Sequence, residues 1–194
     1  MNVIWIGSGA KGGCFAFEVI SAPSTIDIGT NFWSRIRSKI KRGFHRMMER
    51  FDHNERLFTQ LGYASEVTLV HSTQYTDEEA RERLLRIARA ARGKHTSWLI
   101  VDAFLACLGG ILAPLPGPNI FFFYPAIRTF AHHLARKGTL KVQGEIIFHF
   151  KTDELVDQLE LSHMEKAAPK ENVLLALQKN YNLKHLEKCL RNHR

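Results

Sequence analysis

The spacing of apolar side chains changes along the chain, and each change predicts a different element. "NVIWI", residues 2–6, has the composition of a short strand. Over 31–58, Phe32, Ile36, Ile40, Phe44 and Met47 or Met48 recur at three- and four-residue steps, which predicts an amphipathic helix. Its other face is basic, with Arg35, Arg37, Lys39, Lys41, Arg42 and Arg46. "SEVTLVHS", Ser65–Ser72, alternates as a strand does. A helix follows, because Thr76 and Glu79 have the spacing of a capping box, acids fill the first turn and arginines the last. Gly93 is the expected stop. "GTLKVQGEIIFHFK" reads as a strand, or a hairpin near Gly144. Helices are expected at 153–162, 169–180 and 183–192, the last with Leu183, Leu186 and Leu190 on one side.

Between these elements lies an apolar centre. From Trp98 to Ile127 there are thirty residues with one charge, Asp102. The first sixteen, Trp98–Ala113, would reach only about 24 Å as a helix, short of the roughly 30 Å hydrocarbon core of a bilayer. "PLPGP" then stops the helix, since proline lacks an amide hydrogen and clashes with the preceding turn. A second helix restarts with Pro125 in its first turn and Gly138 at its end. Both flanks are basic: Arg86, Arg89, Arg92 and Lys94 before, Arg128, Arg136 and Lys137 after. Charge on both sides favours a hairpin that enters a membrane and returns, with "PLPGP" deepest. Two buried helices around a corner in a soluble core would give the same hydropathy. The fold class is therefore α-rich α+β: amphipathic helices and a few short strands around a membrane-inserted or buried helical hairpin. Along the chain this gives 1–30, a glycine-containing segment of unassigned role; 31–95, basic helices with a strand; 96–138, the hairpin; and 139–194, a strand or hairpin with C-terminal helices.

Charge narrows the choice of partner. A net charge of +8 favours a polyanion, either an anionic lipid surface or nucleic acid. No nucleic-acid reader motif accompanies it, so nucleic acid is the weaker option. The basic face of 31–58, above all Arg35, Lys39 and Arg42, suits lipid headgroups. It equally suits a solvated helix face. Cys14, Cys107 and Cys189 are scattered and odd in number, which predicts no disulfide framework and a reducing compartment. The first residues have neither a secretory nor a transit pattern. Gly7, Gly9 and Gly12 spell a dinucleotide fingerprint after a strand, with Asp27 at a suitable distance, but Pro23 leaves too little room for the crossover helix. A glycine-rich loop beside a strand is the better reading.

The string "LAPLPGPNIFFFYPAIRTFAHHLARKG", Leu112–Gly138, resembles the mitochondrial K+/H+ exchange-related family. The residues that carry the likeness are Pro116, Pro118, Asn119, Phe123, Tyr124, Arg128, His132 and Gly138, and it extends over about residues 60–145. Little before residue 60 matches it distinctively, which leaves the N-terminal third unassigned. The resemblance implies a membrane-associated protein linked to potassium–proton exchange, as exchanger component or accessory factor. Its location would be the mitochondrial inner membrane, or the cytoplasmic membrane in a bacterial relative.

Exchange needs a titratable group at membrane depth, and Asp102 is the one candidate for ion coupling in the apolar centre. Only four residues in, it is also placed to stay at the wet interface. Arg128 and His132, one turn apart, suit headgroups or a pairing with Asp102, headgroup contact being preferred. A single hairpin is too small for an ion pathway, so a second copy or a membrane-protein partner is expected. No catalytic site, metal site or cofactor is expected, because His132 and His133 are adjacent rather than one turn apart and no cysteine has a base nearby. The competing function is a soluble basic scaffold that contacts nucleic acid or a partner protein.

Overall fold

The computed structural model describes residues 1–7, 13–19, 53–112, 120–165, 169–183 and 186–192. Strands β1 (Asn2–Ile6) and β2 (Cys14–Phe17) pair antiparallel, with Val3 opposite Phe17 and Ile6 opposite Cys14. β3 (Glu66–His71) lies parallel to β1, and β4 (Ile147–Thr152) parallel to β3, so the mixed sheet has the order β2-β1-β3-β4. Helix α1 (His53–Leu61) precedes β3; α2 (Asp77–Leu112) and α3 (Ile120–Gly144) separate β3 from β4; α4 (Glu154–Met164), α5 (Glu171–Tyr181) and α6 (Leu186–Asn192) close the chain. Parallel neighbours cannot be joined by a tight turn, and α2 with α3 supply the long return that β3 and β4 require. The α-rich α+β class holds.

The described residues form two compact units, each drawn from separated stretches. The first comprises 1–20, 63–89 and 140–194; the second comprises 21–62 and 90–139. In the first, the sheet presents Ile4, Ile6, Ala16 and Val70 to Val156 and Leu159 of α4, Val173 and Leu177 of α5, and Leu186 and Leu190 of α6. The alternation of β1 and β3 and the three- and four-residue steps of the C-terminal helices converge on this one core. Leu183, Leu186 and Leu190 are buried together, as their spacing predicts.

The N-terminal glycines lie between two strands. The chain returns as β2, antiparallel to β1, instead of opening the helix that a dinucleotide fingerprint needs. Gly9 and Gly12 fall outside the described residues. Gly13, at φ +69°, is required where it stands, because a Cβ there would meet the Ile6 carbonyl oxygen at 2.3 Å.

Several boundaries differ from the sequence expectation. The capping box forms as predicted: Thr76 N–H and Oγ1–H donate to Glu79 Oε2, and Glu79 N–H donates back to Thr76 Oγ1. Gly93, however, does not end α2, which runs through to Leu112. The glycine costs helix propensity, but nothing follows it that removes an amide hydrogen or forces a turn. Likewise Gly138 does not end α3 and the strand near Gly144 starts later, at Ile147. Ala131, Leu134, Ala135 and Val142 are buried at helical spacing and carry α3 past both glycines. Pro125 sits inside α3, five residues after its start, not at its opening. Cys14 and Cys189 are bonded, contrary to the expected absence of a disulfide, because β2 and α6 meet in one core although 175 residues separate them. Cys107 is exposed and unbonded.

Among the described residues, no helix is long and apolar enough to cross a membrane. The basic stretch with Arg35, Lys39 and Arg42 lies outside the described residues, as do "PLPGP" and Asn119. Of the helix expected over 31–58, the described part is His53–Phe58, which lies within α1.

Candidate functional site

In the second unit, α2 carries its polarity inside out. Its buried positions beyond residue 90 include His95 and Asp102, two turns apart, whereas Trp98, Ile100, Val101, Phe104, Leu105 and Leu108 are exposed. Ile100 and Phe104 each keep 63% of their surface in solvent. A helix packed on a water-soluble core shows the reverse pattern.

The buried polar residues meet partners from the neighbouring helices. His95 faces His132 of α3 with their Nδ1 atoms 3.3 Å apart. Seven residues along, Asp102 faces Arg128, Oδ2 to Nε at 3.4 Å. Contacts 95–132 and 102–128 step in opposite directions, so α2 and α3 pack antiparallel as the expected hairpin does. His132 joins the two contacts, since its Nε2 lies 3.5 Å from the same Asp102 oxygen. Trp98 stacks on the His132 ring at 6.4 Å, and the Arg128 guanidinium lies over Trp98 at 5.0 Å and over Tyr124 at 5.7 Å. Glu55 of α1 completes the cluster. Its carboxylate bonds Lys94 at 3.1 Å, and one ligand atom from each of Glu55, His95 and His132 lies within 4.8 Å of the others.

Burial sets the protonation of the rings. It lowers the pKa of His95, opposed by the Glu55 charge, with His132 and Lys94 adding to the fall. It lowers His132 as well, against the pull of Glu55 and Asp102 and with Arg128 and Lys94 assisting. Both imidazoles are therefore neutral near pH 7, each with a lone pair on one nitrogen.

The family model described as mitochondrial K+-H+ exchange-related matches residues 27–145, more than half of the chain. The chain belongs to this family. No curated protein and no solved structure matches it. The family segment holds α1, β3, α2 and α3, and so contains the whole histidine–carboxylate cluster.

The residues singled out in the sequence fall as follows. Asp102 is buried, only 1% exposed. Arg128 pairs with Asp102, one of the two contacts that its position suits. His132 stands at the centre of the cluster, and Tyr124 is half-exposed beneath Arg128. Gly138 lies at a close approach of α3 to α1. Phe123 lies in α3, while Pro116, Pro118 and Asn119 lie outside the described residues. Sequence reasoning missed Glu55 and His95. Neither has a partner at ligand spacing in sequence, and only the seven-residue step from His95 to Asp102 on the inner face of α2 hinted at a polar interior.

Proposed function

We propose that this protein is a membrane-associated factor of mitochondrial potassium–proton exchange, which seats the exposed apolar row of α2 in one leaflet of an anionic bilayer. The observation that carries the reading is that row: Trp98, Ile100, Val101, Phe104, Leu105 and Leu108 exposed, while His95 and Asp102 are buried. A contiguous apolar surface of this kind marks a membrane or protein contact. Lipid is favoured over a protein partner by the basic residues at the row's start, Arg92 and Lys94, and by the net charge of +8. Trp98 and Tyr124 suit the interface, where a ring has both an apolar and a wet side. From Trp98 to Leu112 the helix extends about 22 Å, less than the roughly 30 Å of hydrocarbon, so it dips in and the chain returns through α3. The family supports the link to exchange. A second copy or a membrane-protein partner supplies the ion pathway that one hairpin is too small to form, and no catalytic step belongs to this reading.

Flotation of the full chain with vesicles of phosphatidylcholine and phosphatidylglycerol tests it. The protein is expected to float and to resist carbonate extraction, and Phe104→Ser with Leu108→Ser is expected to release it. Potassium-driven proton flux in membranes holding the protein should fall with the same double substitution. Retention and flux both unchanged by the two serines, or a freely soluble monomer that ignores vesicles, would overturn the proposal.

A further inference from the structure

We infer that Glu55, His95 and His132 form a binding site for a single divalent transition-metal ion, with zinc as the fitting cation. Two imidazoles and a carboxylate from α1, α2 and α3 converge, one ligand atom from each within 4.8 Å of the others, and all three residues are buried. This is the donor set of three-ligand zinc sites, which keep a fourth position for solvent.

The distances support the assignment. Ligands bonded at about 2.0–2.1 Å to a tetrahedral zinc are about 3.3 Å apart. The His95 and His132 Nδ1 atoms are separated by 3.3 Å, the spacing of two nitrogens on one tetrahedral zinc. Without the ion, one ring must donate a proton to the other, and both cannot offer lone pairs. The metal takes the place of that shared proton. Glu55 closes the third edge by turning its carboxylate away from Lys94, whose half-exposed side chain is then freed to water.

A second, independent feature points the same way. The other nitrogen of His132, Nε2, lies 3.5 Å from Asp102 Oδ2, and Arg128 Nε lies 3.4 Å from the same oxygen. A carboxylate behind the non-ligating nitrogen of a histidine orients the ring and fixes the hydrogen on that side, leaving the lone pair on Nδ1 for the ion. Trp98, stacked on the ring, holds its plane. Asp102, the one acid of the apolar centre, then acts as a positioning residue for a ligand. Metal binding would tie three helices of one unit together.

The test uses the untagged full chain, stripped with chelator and titrated with zinc and with cobalt by calorimetry and visible absorption. One equivalent is expected, with a tetrahedral cobalt spectrum and a higher Tm. His95→Gln and His132→Asn are expected to abolish stoichiometric binding, with circular dichroism confirming that each variant is folded. His133→Ala, on the exposed neighbour of a ligand, should leave affinity unchanged. Asp102→Asn keeps all three ligands and should weaken zinc by about 10-fold or more, which a ligand set without outer support would not show. Absence of a one-to-one complex in the folded wild-type chain, or binding that survives His95→Gln, would overturn the site.

Discussion

Gly138 of α3 faces the carbonyl oxygen of Phe58 in α1 so closely that a Cβ at residue 138 would stand 1.8 Å from it. The same Cβ would lie 3.0 Å from the Gly62 amide nitrogen, and one on Gly62 would lie 3.2 Å from the Leu134 carbonyl oxygen. α1 and the end of α3 therefore meet backbone to backbone. Gly138→Ala forces them apart and is expected to cost about 1–3 kcal/mol in urea denaturation, the range of core overpacking. Gly93→Ala, in α2 with open space around it, should instead stabilise by about 1 kcal/mol through helix propensity. Opposite signs for two glycine-to-alanine changes separate contact from propensity.

Removal of Arg128 leaves Asp102 buried with His132 as its remaining close partner. Arg128→Ala is expected to destabilise by about 2 kcal/mol, below the full cost of orphaning a buried charge because the arginine is partly exposed. Arg128→Lys should recover only part of this, since an ammonium cannot lie flat over Trp98 and Tyr124 while bonding the carboxylate. Denaturant midpoints for the three proteins check the order wild type, lysine, alanine.

A carboxyl group in the first unit links stability to pH. Burial raises Glu160 to about 7, with the nearby Asp157 charge adding and hydrogen bonds from the Gly7 amide and the Ser72 hydroxyl opposing, together with His71. A folded pKa above the usual 4.5 means that the native state holds a proton the unfolded chain has lost. The associated stability is complete below pH 4.5 and disappears as the pH rises through 7. Glu160→Gln keeps an oxygen for the Gly7 N–H and removes the titration. It should be more stable than wild type at pH 8 by on the order of 2 kcal/mol, allowing for solvent screening, with little difference at pH 4.5. Thermal melts across that range provide the measurement.

The bond between Cys14 and Cys189 ties β2 to α6 across 175 residues of chain. Reduction is expected to lower the stability of the first unit by about 2–5 kcal/mol, toward the upper end because the closed loop is long and the unfolded chain regains much freedom. Cys14→Ser with Cys189→Ser should reproduce the effect and make the protein indifferent to reductant. Melting with and without reductant, followed by circular dichroism, reads it.

Local rules made much of the fold legible. Alternation located β3, the Thr76–Glu79 box located the start of α2, and the leucine spacing located α6. Boundaries failed where a local rule met a tertiary contact. Gly138 reads as a stop because glycine often ends a helix, yet it is present because Phe58 leaves no room for a side chain. Gly93 has the same local signature and no such contact, so composition cannot distinguish the two. The cluster was half legible. Asp102, Arg128 and His132 stand out as polar residues near an apolar stretch, whereas Glu55 and His95 acquire meaning only when three helices converge. The Cys14–Cys189 bond was illegible for the same reason, since no local pattern records which distant strand and helix share a core.

The first unit is assembled from 1–20, 63–89 and 140–194, and the second from stretches that lie wholly between those limits. Synthesis proceeds from the N-terminus, so a chain emerging from a ribosome or a translocation pore delivers every residue of the second unit before β4, α5 and α6 exist. The sheet must hold β1 and β3 unfinished until the last quarter of the polypeptide arrives. During that interval the edge of β3 that later pairs with β4 has no partner strand, while every residue of the unit that carries Glu55, His95 and His132 has already been made.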